Sequence, residues 1–185
     1  AAAGPAAARV MGFLGEEIPV EPRKRTVFVV DAPNSRHPEA PLIVDGQGYY
    51  ARPERDCWIT GAIPEDDGAA DPDDFDPDLD LFEELIWPKL YNRMPGFDQA
   101  KVLRAWAGHY AYNRFDQNAL LGLFPGYENF YVMNGFSGHG LQQAPAVGRG
   151  IAELVLTGGY QTLDLSDLDV SRIFEGRPLR ELAIV

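Results

Sequence analysis

One cysteine, Cys57, stands alone among 185 residues, so an internal disulfide framework is excluded and a reducing compartment fits. Positive charge is scarce: 16 lysines and arginines face 28 aspartates and glutamates, for a net charge of −12. Nucleic-acid binding needs a basic surface to meet phosphate, and an anionic membrane face needs the same, so both classes are set aside. No apolar run approaches the roughly 18 residues that cross a bilayer as a helix. The three histidines, at 37, 109 and 139, and Cys57 lack the spacing of a metal site. The Gly-x-Ser-x-Gly elbow of a serine hydrolase is missing too, because Gly135, Phe136, Ser137 and Gly138 run one residue short.

What the chain does contain is enough apolar residue, 45% with 11% aromatic, to bury a sizeable core. Residues 6–14 suit a short helix stopped by Gly15, and the prolines around 19–22 predict an extended approach to a buried strand at 26–30. The basic triplet Arg23, Lys24 and Arg25 reads as a solvated strand end or linker. Three short runs at 42–44, 48–53 and 57–61, separated by turn residues, predict an antiparallel meander. Residues 46–51 mimic Gly-x-Gly-x-x-Ala, but Arg52-Pro53 follows and no helix can open there.

The stretch 65–80 is the most acidic. Its Asp74, Asp76 and Asp78 imitate the first ligands of a calcium loop, yet Leu79 and Leu85 stand where glycine and glutamate belong, so a solvated loop is expected. A helix over 79–94 follows, with Leu79, Phe82, Leu85, Ile86 and Leu90 on the core face and a kink at Pro88. Strands are expected at 99–112, 119–124 and 129–134, with short helical pieces at 162–185. The fold class is α+β, an antiparallel or mixed sheet with flanking helices.

The richest stretch is Asn134, Gly135, Phe136, Ser137, Gly138, His139, Gly140, Leu141, Gln142, Gln143, Ala144, Pro145, followed by a helix-like run over 147–157. Glycines at 135, 138 and 140 permit positive φ and close approach of the main chain to a ligand. Ala144, Val147, Gly148, Ile151, Leu154 and Val155 recur at helical spacing and would face a core. A strand, a glycine turn and a helix N-terminus together suit an electron-rich or anionic ligand, although the same pattern also serves as a tight turn that binds nothing.

These residues resemble the C-terminal signature of the D-amino-acid oxidase (DAO) superfamily of FAD enzymes. The nearer likeness is to FAD-dependent oxidoreductase-domain proteins associated with respiratory complex I assembly, and to their bacterial relatives. It extends over Trp106 to Tyr110, Tyr112, Asn113, residues 115–118, 135–145 and 160–166. The resemblance implies a non-covalent FAD held by Gly135, Phe136, Ser137, Gly138, His139, Gly140, Leu141 and Gln142. It implies hydride transfer to flavin from an amine or amino acid of the sarcosine or proline type, with Tyr50, Arg52, Tyr110 and Gln142 on the substrate side. No catalytic residue is assigned.

Departures from the sarcosine-oxidase branch qualify that picture. Gln142 replaces a carboxylate-binding lysine, and Arg52 either compensates as a clamp or pairs with one of the many acids. Ile59 replaces the lysine that promotes oxygen reduction, which implies a dehydrogenase-like enzyme. Gly108 replaces the cysteine that binds flavin covalently. By the same likeness residues 1–22 are the end of an FAD-domain helix and a crossover. Residues 23–118 are a substrate-binding sheet domain, 119–160 return to the FAD domain, and 161–185 form a tail. The nucleotide-binding Gly-x-Gly-x-x-Gly is absent, so the chain is expected to be a C-terminal fragment, inactive alone and completed by a missing N-terminal half. A homo-oligomer and a bacterial cytoplasmic location, or a peripheral one at the inner membrane, complete the expectations. The alternative function is a non-catalytic assembly factor on the same fold.

Overall fold

Val20–Asp31 is a 12-residue strand of the molecule's main sheet, and its burial alternates along Thr26 to Asp31 as one face turns to a core. A computed structural model describes residues 1–182. The chain divides into two compact units. One comprises Lys24–His109, and the other is built from Ala1–Arg23 together with the chain from Tyr110 onward.

β1 (Val20–Asp31), which enters the first unit at Lys24, is followed by β2 (Ile43–Asp45), β3 (Tyr49–Glu54) and β4 (Cys57–Ala62). With β5 (Lys101–Asn113) these form one sheet in the order β2-β3-β4-β1-β5. Antiparallel register sets Tyr50 opposite Gly61 and Arg52 opposite Ile59, while Val27 and Val29 face Gly61 and Ile59 from β1. Period-2 alternation therefore sends Phe28, Val30, Tyr49, Ala51, Trp58 and Ala62 to one face, where they bury against Phe82, Ile86, Leu90 and Phe97. The meander matches the sequence expectation nearly residue for residue.

The expected helix over 79–94 is divided. A π-helical turn, Phe82–Ile86, leads into α2 (Trp87–Arg93; α1 is Ala7–Gly12). Pro88 has no N–H and its ring crowds the carbonyl four residues back, so a widened turn just before it accommodates the proline. Leu79 is exposed instead of joining Phe82, Ile86 and Leu90 in the core.

The basic triplet is corrected as well. It lies within β1 and is not a solvated linker: Arg25 is buried and forms a two-pronged pair with Asp67, at 2.6 and 2.9 Å. Lys24 bonds Asp74 and Asp78, each at 2.8 Å, and Arg23 stacks over the Tyr112 ring at 4.4 Å. The acidic stretch is therefore strapped to β1 by specific charges. The Asp78 N–H donates to Thr26, and Phe75 meets the His109 ring edge-on at 4.8 Å.

In the second unit a hairpin of β6 (Leu120–Leu123) and β7 (Tyr131–Asn134) is buried on both faces. Leu120 packs with Met11, Val20, Phe124 and Val132, while Leu121 packs with Val147 and Leu165. The closing helix α3 spans Gly140–Thr157, beginning well before the expected 147. Val147 and Gly150 are buried, but Ala144, Gly148 and Val155 are exposed rather than in the core. The helix carries two apolar stripes, and its periodicity alone does not say which faces inward. Among the described residues no helix is long and apolar enough to cross a membrane. Residues 183–185 of the expected tail lie outside the described part.

Candidate functional site

The glycine-rich turn between β7 and α3 is held in place by the end of β5. Gly135 and Gly138 take positive φ of 71° and 99°, and Ser137 between them is at 50°, a region that ordinary side chains rarely adopt. Strain of this kind persists only where the surroundings fix it, and here they do. Ser137 is fully buried; its N–H donates to the Ala111 carbonyl, and its Oγ donates to the Gly135 carbonyl and accepts from the Asn113 N–H. A Cβ on Gly138 would lie 2.7 Å from the Tyr110 ring, so glycine there lets Tyr110 lie flat against the turn.

Beyond the turn, His139 occupies the N-cap of α3 with φ −92° and ψ 6°, and no side chain caps the helix. The first intrahelical donor is the Gln143 N–H, reaching the His139 carbonyl at 3.2 Å. The earlier N–H groups at 140–142 have no intrahelical acceptor by helix geometry, and they carry the positive end of the macrodipole. Two buried side-chain atoms, His139 Nδ1 and Gln143 Oε1, have no hydrogen-bond partner. Buried polar atoms are normally satisfied, so these two mark the uncapped helix start as a place where polar groups are left without partners. An apolar groove of about 330 Å³ borders the turn, lined by Met133, Phe136, Gly140, Ala144, Val147 and Gly148 among others. Donors beside an apolar groove fit a planar heteroaromatic ring such as flavin.

The other expected site residues are distributed over both units. Tyr110 is brought together with the turn, and Leu141 and Gln142 are exposed in the first turn of α3. Tyr50 and Arg52 lie on β3, on the sheet face away from the core. The Tyr50 ring lies across Gly61, where a Cβ would approach to 2.9 Å. Arg52 is paired with Glu54, the second of the two alternatives raised for it. Ile59 lies on β4 opposite Arg52, and Gly108 has open space where its Cβ would be. His37 is exposed, and Cys57 is half-buried and unpaired. Among the described residues no cluster of histidine, cysteine, aspartate or glutamate is arranged to hold a metal.

Sequence reasoning gave no role to the residues that hold the turn from behind. Asn113, Asp116 and Arg172 are all buried. Asn113 and Asp116 fall within the stretches that carry the family likeness, which marked them without assigning a role, and Arg172, 56 positions beyond Asp116, gave no signal.

Residues 1–154 match the family described as FAD dependent oxidoreductase (DAO). Over 173 residues the chain is 45% identical to FAD-dependent oxidoreductase domain-containing protein 1 of Bos taurus and 43% identical to that of Xenopus laevis. It is 92% covered in each case, but spans only about a third of those relatives, 36% and 35%. Among solved structures it is similar to L-proline dehydrogenase from P. horikoshii, with a TM-score of 0.80 and 27% identity. That match covers 96% of this chain and 47% of the other. The profile match over most of the chain and the identity to these relatives agree with the turn and sheet just described: the chain belongs to the DAO family of FAD-dependent oxidoreductases.

Proposed function

We propose that this chain supplies the flavin-facing turn and the substrate-side sheet of an FAD-dependent oxidoreductase acting on an amine or amino acid. The observation that carries the reading is the uncapped start of α3, where His139 Nδ1 is buried without a partner behind a turn strained at Ser137. FAD, when bound, accepts a hydride from the carbon beside the amine nitrogen, leaving an imine. The chain's own residues do the positioning. The N–H groups of residues 140–142 and the helix dipole present positive potential to an electron-rich ring edge, while the His139 N–H is engaged by the Phe136 carbonyl at 2.9 Å. Phe136 and Tyr110 contribute apolar surface, and His139 packs along the ring in this reading.

Gly108 offers no thiol, so FAD is held without a covalent link. The adenosine end needs a Gly-x-Gly-x-x-Gly opening a helix, which these 185 residues do not contain, so tight binding draws on further chain. The hydrocarbon at Ile59, where the resemblance has an oxygen-activating lysine, favours a dehydrogenase over an oxidase. Tyr50 and Tyr110 are the substrate-side hydroxyls of this reading.

Arg52 held by Glu54 and the neutral amide of Gln142 favour a second reading, in which substrate carboxylate binding has been lost and the flavoprotein fold serves assembly of a larger complex. Anaerobic addition of an amine panel headed by sarcosine and proline to the full-length protein separates the two. Bleaching of the flavin band by one amine is the expected result, and a band that no amine bleaches transfers the assignment to the assembly role.

A further inference from the structure

Behind the turn lies a charge pair that the proposed chemistry does not use. Asp116 and Arg172 are 2% and 0% exposed. Removing two charges from water is costly, and the cost is recovered only when the remaining donors and lone pairs are engaged. Here they are. Arg172 Nε donates to Asp116 Oδ2 at 2.8 Å, and one terminal nitrogen donates to Asp116 Oδ1 and the Asn118 carbonyl, both at 3.1 Å. The other terminal nitrogen reaches the carbonyls of Leu168 and Asp169 at 2.7 and 3.2 Å. Asp116 accepts in addition from Asn113 Nδ2 at 2.7 Å, Asn118 N at 3.2 Å and Leu179 N at 3.0 Å.

This node leads outward in one direction to the turn. The Asn113 side chain is fixed by Asp116, by the Asn118 carbonyl and by the Phe115 N–H. The Asn113 backbone N–H donates to Ser137 Oγ at 2.9 Å, and Ser137 Oγ holds the Gly135 carbonyl. An apolar contact would also anchor the C-terminal segment, but it would not set direction. A fully satisfied polar network specifies one geometry.

We infer that Asp116 and Arg172 are positioning residues for the glycine turn, acting through Asn113 and Ser137, and that they make the segment carrying Arg172 and Leu179 part of the flavin site's framework. This deepens the flavin reading above and rests on it. The pair itself touches no reacting atom.

The test compares Arg172→Lys, Ser137→Ala and the double variant in the full-length protein, by FAD dissociation constant and by amide exchange at Asn113 and Ser137. Leu90→Ala, in the core of the other unit, is the control for lost stability alone. Each single variant is expected to weaken FAD binding about tenfold, and the double variant also by about tenfold rather than a hundredfold, because one pathway has been cut twice. Exchange at Ser137 quickens in Arg172→Lys, while Leu90→Ala keeps the FAD affinity of the parent. If Arg172→Lys does not fold, Leu179→Pro removes only one peripheral donor to Asp116 and should show the same direction. Unchanged affinity and unchanged exchange in Arg172→Lys, or fully additive losses, overturn the inference. A parent that takes up no flavin refutes the flavin reading instead. The exchange at Asn113 and Ser137 then decides the positioning claim by itself.

Discussion

A methyl group at position 138 has no room. It would meet the Tyr110 ring at 2.7 Å and require an alanine at φ 99°. Gly138→Ala is therefore expected to lose about 1–3 kcal/mol of stability by denaturant titration. Gly108→Ala, which meets nothing within 4 Å and has no positive φ, should change stability by no more than about 0.5 kcal/mol. Arg172→Met leaves Asp116 as an uncompensated buried charge and is expected to cost about 3–5 kcal/mol. Glu153 sets a pH dependence of a different kind. Hydrogen bonds from the Gln161 N–H, the Thr162 hydroxyl and the Thr162 N–H hold its carboxyl below the usual carboxylate value. Because the folded value is depressed, its stabilisation is present above the unfolded carboxylate's pKa and is lost as pH falls through the folded one. Glu153→Gln should therefore flatten part of the acid limb of a stability-versus-pH curve while lowering stability near neutrality.

At the scale of elements, the strap between β1 and the acidic stretch is held by charges that pull in both directions. Asp74 is held down, chiefly by its bond from Lys24, and Lys24 is raised, chiefly by its bonds to Asp74 and Asp78. The Asp74 contribution is lost as pH falls through its lowered value, and the Lys24 contribution is lost as pH rises through its raised one, so the strap is tightest between them. Lys24→Met is expected to speed proteolysis within residues 65–80, and salt to do the same more weakly; unchanged cleavage would count against the strap. None of this pairing was visible beforehand, because Lys24 and Asp74 are 50 positions apart and a charge run is read locally. The meander was visible, since alternation and turn residues are local signals. So was the existence of α3, but not its start, and its inward face only in part: Val147 and Ile151 pack inward while Ala144, Gly148 and Val155 do not. Gly140 and Pro145 disguise the first turns, and two apolar stripes compete. The π turn before Pro88 follows from the proline, whose effect on the helix was foreseeable although its form was not.

For the whole molecule, the exposed apolar side of α3 has a consequence in solution. Leu141 is 90% and Leu156 82% exposed, with Val155, Ala144 and the groove at Phe136 nearby in sequence or along the helix. The 185-residue chain by itself is expected to self-associate, and a clean monomer by light scattering would contradict that. The turn itself was legible because its glycines at 135 and 138 permit the positive φ that both adopt. The support behind it was not, because a buried ion pair leaves no periodic trace. Flavin meeting the start of α3 is the central claim. The most direct test is an ultraviolet-visible spectrum of the purified full-length protein beside its Gly138→Ala variant. A bound-flavin spectrum in the parent that is shifted or weakened in the variant is the predicted result. A parent without flavin, or a variant with an identical spectrum and flavin content, would contradict the account.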